Sequence, residues 1–78
     1  MRREELLMAE SVYKVIELVG TSGDSWEKAA SAAVARASAS LRDLRIAEVA
    51  ELDLQLDDGK VMAYRARVKV SFKYEGGD

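Results

Sequence analysis

The stretch Ser11–Ser22, S-V-Y-K-V-I-E-L-V-G-T-S, decides the fold of this 78-residue chain. It reads as a strand that runs directly into the start of a helix. Ile16 and Leu18 fall on one face, with Lys14 near its start, while Tyr13, Val15 and Val19 fall on the other, interrupted by Glu17. Alternation this weak is what a strand covered on both faces shows. The strand is expected over Val12–Val19, with Gly20–Ser25 as the turn into the helix. An Ala-rich helix and two long strands follow. One helix can cover only one face of a three-stranded sheet, so the other face needs a partner and the chain is expected to self-associate.

Ser22, Asp24 and Ser25 are all suitable helix N-caps, because their side-chain oxygens accept free backbone N–H groups. Asp24 with Glu27 has the capping-box spacing. The helix is expected over Ser25–Asp43. Trp26, Ala30, Ala33, Ala37, Leu41 and Leu44 form an apolar stripe at helical spacing, broadened by Ala29 and Val34. Most of these residues are small, so the helix axis can lie close to the sheet. Trp26 sits in the first turn of the stripe and is expected to be buried against the sheet.

Arg45–Leu56 reads as the second strand and Val61–Glu75 as the third. Asp57-Asp58-Gly59-Lys60 is the hairpin turn between them, in which D-G supplies the positive-φ residue. The third strand alternates most clearly. Met62, Tyr64, Ala66, Val68, Val70, Phe72 and Tyr74 share one face, and Arg65, Arg67, Lys69, Ser71 and Lys73 share the other. A strand of about 14 residues spans roughly 46 Å, far more than the roughly 28 Å of the helix. Part of the hairpin must therefore project beyond it, and a long bare hairpin aggregates unless it is paired. The chain thus reads as an α+β domain, β-α-β-β, over residues 11–75. Residues 1–10 form an N-terminal extension, either disordered or a short helix able to dock Leu6, Leu7 and Met8 on a neighbour. Residues 76–78 form a flexible C-terminal end.

Composition removes whole classes of chemistry. The chain has no Cys and no His, hence no disulfide, no thiol nucleophile, no imidazole base and none of the usual zinc ligands. Tyr64, Lys69 and Glu48 are capable of acid–base work, yet nothing groups them with a nucleophile, so no enzyme is expected. The net charge of −2 gives no nucleic-acid footprint. No stretch approaches the roughly 18 apolar residues of a membrane span. Glu4 and Glu5 break the N-terminal sequence before a leader-like apolar run forms. A cytoplasmic location is expected, together with self-association as the remaining means of stabilising so small a core.

The order of elements and four motifs resemble the dodecin family: V-Y-K-V-I-E-L-V-G-T-S at 12–22, S-W-E-K-A-A at 25–30, I-A-E-V at 46–49 and V-K-V-S-F-K at 68–73. Dodecins are small flavin-binding proteins whose protomers wrap a three-stranded antiparallel sheet around one helix and assemble as hollow spheres of twelve. The resemblance implies a homododecamer that binds or stores a small ligand. It also implies a flavin site in which a Trp early in the second strand stacks on the ring and a Gln after a Tyr on the third strand hydrogen-bonds its edge. Ile46 stands at the Trp position, and Arg65 follows Tyr64 at the Gln position. Ile46 offers no π face, and an Arg only donates hydrogen bonds where Gln also accepts.

The positions matching or adjoining that site are Ile46, Glu48, Arg65 and Arg67. Flavin binding there is expected to be weak or lost, which leaves the cofactor unknown. The basic face of the third strand has two readings. It either pairs with Glu48, Glu51 and Asp53 of the neighbouring strand or lines a site for a phosphate- or carboxylate-bearing ligand. The alternative function is a structural assembly or interaction module that binds an anion, or a divalent cation such as calcium, at subunit interfaces. No residue is assigned to a metal, because no single segment supplies the several oxygens calcium needs.

Overall fold

The computed structural model describes residues 11–74, so the N-terminal extension at 1–10 and residues 75–78 lie outside the described residues. Strand β1 (Tyr13–Ser22) leads to helix α1 (Trp26–Ser40), followed by β2 (Leu44–Asp57) and β3 (Lys60–Lys73). The three strands form one antiparallel sheet in the order β1-β3-β2. The expected β-α-β-β, α+β fold is therefore the observed one, with the sheet folded around a single helix.

Strand β1 is longer than expected. Gly20, Thr21 and Ser22 do not turn; they continue to pair with Ala66, Arg65 and Tyr64 of β3. The glycine is required by packing and not by a turn. A Cβ built on Gly20 would overlap the carbonyl oxygen of Ala29 and lie 3.2 Å from the Ala33 Cβ. Helix α1 thus crosses β1 at backbone contact. Ala29, Ala33 and Ala37 are its buried residues, and the first two close on Ala66, Val68 and Val70 of β3. Ile16, Leu18, Ala30, Val34 and Leu44 pack around them.

The cap is Ser25, whose Oγ accepts from the Lys28 N–H at 3.1 Å, with extended backbone at the cap. The Ser22 Oγ accepts from the Asp24 N–H at 3.0 Å. The Asp24–Glu27 capping box does not form; Asp24 instead pairs with Lys28 at 2.9 Å on the exposed surface. The helix also ends earlier than expected. Leu41 leaves the helical region (φ −117°, ψ 148°) while its N–H still reaches the Ala37 carbonyl. Asp43 then takes a left-handed conformation (φ 58°), which short polar side chains tolerate, and turns the chain into β2 at Leu44. Leu41 is thus the C-cap, and Leu44 pairs with Phe72 in the sheet.

The hairpin turn is as expected, with Asp58 (φ 53°) and Gly59 (φ 77°) both at positive φ. Two left-handed central residues are the type I′ pattern that matches strand twist. Strand β2 carries register shifts between Leu44 and Ile46 and between Val49 and Glu51. Such bulges bend a strand and increase its twist, which lets β2 curl around the helix.

The helix rises roughly 22 Å over its length, against roughly 46 Å for a 14-residue strand. It therefore leaves much of the hairpin bare. On the helix-facing side Val49 and Leu52 remain 49% and 51% exposed. Val68 and Val70 are the largest fully buried side chains. A core this small leaves a single copy marginal.

Candidate functional site

Antiparallel partners point to the same side of a sheet, so the register defines the face turned away from α1. Across that outer face the strands present Thr21–Arg65–Asp53, then Val19–Arg67–Glu51, then Glu17–Lys69–Glu48, then Val15–Ser71–Ile46. All four residues expected from the sequence, Ile46, Glu48, Arg65 and Arg67, therefore lie on one face. The bulge at Ala50 adds Glu51 and Asp53 to the same face. Strict alternation would set Glu48 and Glu51 on opposite sides; the extra residue returns Glu51 to the outer row.

The basic residues of β3 are engaged by acids on both flanks. The Arg65 guanidinium donates twice to Asp53, from Nε to Oδ1 at 2.6 Å and from Nη2 to Oδ2 at 2.8 Å. This fork-to-fork geometry is the strongest form of the pair. It holds the Asp53 carboxyl below its ordinary value and raises the Arg65 guanidinium above its own, in each case chiefly through the shared hydrogen bonds. Arg67 donates to Glu51 at 3.1 Å and has Glu17 at 3.9 Å. Lys69 stands in the register between Glu17 and Glu48. Arg65, Arg67 and Lys69 thus face four carboxylates. The pairing reading of the basic face describes this arrangement.

Ile46 is 66% exposed and lies opposite Ser71, whose hydroxyl donates to the Ile46 carbonyl at 3.4 Å. Its surroundings are apolar on the β1 side, where Val15 is also exposed. This end of the face offers aliphatic contact and no aromatic surface. Glu48 is exposed beside it.

Two residues at the site lie outside the four assigned to it, Asp53 having been named only as a pairing partner of the basic face. Asp53 joins both faces of the sheet: its carboxylate holds Arg65, and its carbonyl accepts from the Trp26 indole Nε1 at 3.1 Å. Trp26 itself is only partly buried, a correction to the expectation that it is buried against the sheet. Its ring packs edge-on to Tyr64, with centroids 5.2 Å apart at 80°. Its free side lines an open groove of about 440 Å³ with Ala30, Val49 and Leu52. The first-turn position of Trp26 placed it on the helix but not at its exposed end over β2. A second cavity, of about 560 Å³, lies at the other end of α1, where the Lys14 ammonium sits 5.8 Å above the Tyr74 ring.

No helix among the described residues is long and apolar enough to cross a membrane. Among the described residues no group of three or more acidic side chains gathers as a metal would require.

Residues 12–75 match the family model described as Dodecin. The chain is 51% identical over 63 residues to the calcium dodecin of Mycobacterium tuberculosis, an alignment covering 81% of this chain and 89% of that protein. It is 42% identical over 64 residues to the dodecin of Thermus thermophilus, covering 82% of this chain and 93% of that one. Among solved structures, the dodecin of Streptomyces coelicolor superposes with a TM-score of 0.82 at 38% identity, over 90% of this chain and all of that one. The crystal structure of the M. tuberculosis calcium dodecin, described as having a novel calcium-binding site, superposes at 0.76 with 47% identity, over 87% of this chain and 97% of that one. Matched along nearly all of its described length in both sequence and fold, this chain belongs to the dodecin family.

Proposed function

We propose that this protein is a self-assembling small-ligand binder, a hollow homododecamer of the dodecin type in which the flavin stack has been lost. The observation that carries the proposal is apolar surface left bare on both sides of the sheet. Val49 and Leu52 beside the helix, and Val15, Val19 and Ile46 on the outer face, are all close to half exposed or more in a single copy. Burying such side chains contributes roughly 1.5–3 kcal/mol each when complete, which a chain with so small a core cannot forgo. Ile46, Glu48, Arg65 and Arg67 then lie together on a face that neighbouring copies can close into a site. The reading involves no catalysis: nothing on the outer face pairs a nucleophile with a base.

Light scattering and flavin titration test the two halves separately. The expected mass is close to twelve protomers at micromolar concentration. Riboflavin should bind weakly, because Ile46 removes the stacking surface and Arg65 is held by Asp53. A monomer would refute the assembly, and tight riboflavin binding against β2 would refute the loss of the stack.

A second reading has its own support. The M. tuberculosis relative is named for calcium, and Glu17 and Glu48 both flank the single cation Lys69. Calcium takes six to eight oxygens, so the carboxylates would have to come from several copies. Calorimetric calcium titration of the assembly, before and after chelation, decides this: heat with no change in assembly on chelation supports a bound but non-structural ion, and no heat eliminates the reading.

A further inference from the structure

Around Arg65, Arg67 and Lys69 the outer face sets four acids, and one pair differs from the rest. Arg67 is shared between Glu51 and Glu17, and its contact with Glu17 is long at 3.9 Å. Arg65 has a single partner that fills the Nε–Nη2 edge of its guanidinium, at 2.6 Å and 2.8 Å. That partner is anchored on the far side of the sheet, because the Asp53 carbonyl accepts from the Trp26 indole. Asp53 is therefore held in place by packing at the helix start and not by its ion pair alone. An Arg whose fork is already filled by a carboxylate cannot offer the same fork to a phosphate or carboxylate on a ligand.

We infer that Asp53 is a specificity-determining residue: by holding Arg65 it makes the outer face reject anionic groups and accept neutral or cationic polar ones. The inference rests on the outer face being the ligand face, as proposed above. Arg65 has the right chemistry for an anion, but its Nε–Nη2 fork is filled and its charge balanced by Asp53. Removing the Asp53 charge without changing its shape returns the guanidinium to the ligand. Of the remaining charges on the face, Arg67 is paired with Glu51 and Glu17, Lys69 stands between Glu17 and Glu48, and Lys73 lies eight residues along β3 from Arg65. They do not substitute for it.

The test uses the full chain with riboflavin and riboflavin 5′-phosphate as probes, which differ only in the phosphate. An Ile46→Trp background supplies a flat surface so that both bind measurably. In that background alone the two should bind within about twofold of each other. Adding Asp53→Asn should shift the ratio toward the phosphate ester by about tenfold at low salt, toward the low end of what a hydrogen bond to a charged group contributes. The preference should fade as ionic strength rises. Adding Arg65→Gln as well should abolish it. A phosphate preference already present with Asp53 intact, or an unchanged ratio in the Asp53→Asn variant, overturns the role of Asp53. If no variant binds either flavin while all keep wild-type mass and circular dichroism, the outer face is not the ligand face. Both this inference and the reading beneath it then fall.

Discussion

Gly20→Ala is the most demanding test of how the helix meets the sheet. The added Cβ would overlap the Ala29 carbonyl oxygen, lie 3.0 Å from the carbonyl carbon and sit 3.2 Å from the Ala33 Cβ. Two of the three are backbone atoms of α1, so no rotamer change relieves the contact. The helix must retreat as a body by about an ångström. That movement loosens Ala29 and Ala33 over Ala66, Val68 and Val70, the cluster at the centre of the buried core. Overpacking of one methyl into a tight core costs about 1–3 kcal/mol, and the backbone clash places this one near 3. A domain of this size has only about 4–12 kcal/mol of stability in total. Urea unfolding followed by circular dichroism, at fixed protomer concentration, should show a lower midpoint with an unchanged slope. A stability within about 0.5 kcal/mol of wild type would show that α1 does not lie at backbone contact with β1.

Trp26→Phe removes the indole donor to Asp53 while keeping an aromatic ring on Tyr64, and should cost about 1 kcal/mol; a neutral result in urea unfolding would remove Trp26 as the anchor of β2. The Asp53 carboxyl titrates lower in the folded chain than its ordinary value near 3.8. The stability it contributes is therefore complete above that value and lost as pH falls through the depressed one. Arg65, raised above its ordinary value, is charged throughout that range. Acid unfolding of Asp53→Asn should therefore lack this component, and an acid limb identical to wild type would show that the pair does not couple to folding. Leu52→Glu places a charge on bare apolar surface beside the Trp26 groove, and should reduce the assembled mass in light scattering without altering the circular dichroism of the protomer. An unchanged mass would mean that the groove is not part of an interface.

Much of this was legible in sequence, and the exceptions have physical causes. The alternation from Met62 to Tyr74 defined both faces of β3, because a central strand packed by a helix on one side carries the clearest period. The D-G turn needed no tertiary information. The end of β1 was misplaced because Gly20 followed by Thr21 and Ser22 carries turn chemistry, while its use here is to admit Ala29. That approach depends on a residue nine positions away. The helix boundary moved because Leu41 and Leu44 continue the apolar spacing, although Leu44 continues it as a strand residue against Phe72. Within the site, Arg65 and its neighbours were placed on one face by alternation. Asp53 was visible as a partner of the basic face, but not as the one that holds Arg65 in particular. Its alignment with Arg65 depends on the bulge at Ala50, and bulges leave no regular trace in sequence. The partial exposure of Trp26 was hidden for a related reason: it depends on how far β2 curls past the helix.

The self-assembly of the chain is the claim on which the rest depends, and the absolute mass in solution measures it directly. Light scattering coupled to size exclusion, on protein at micromolar concentration without added ligand, should report about twelve times the 8.6 kDa of the protomer. The bare side chains Val49 and Leu52 are already present in the ligand-free protomer, so the assembly should need no cofactor. A single species at the protomer mass, folded by circular dichroism, would contradict the account. The small core of Val68, Val70 and three alanines of α1 would then be sufficient alone, and the exposed faces would need another explanation.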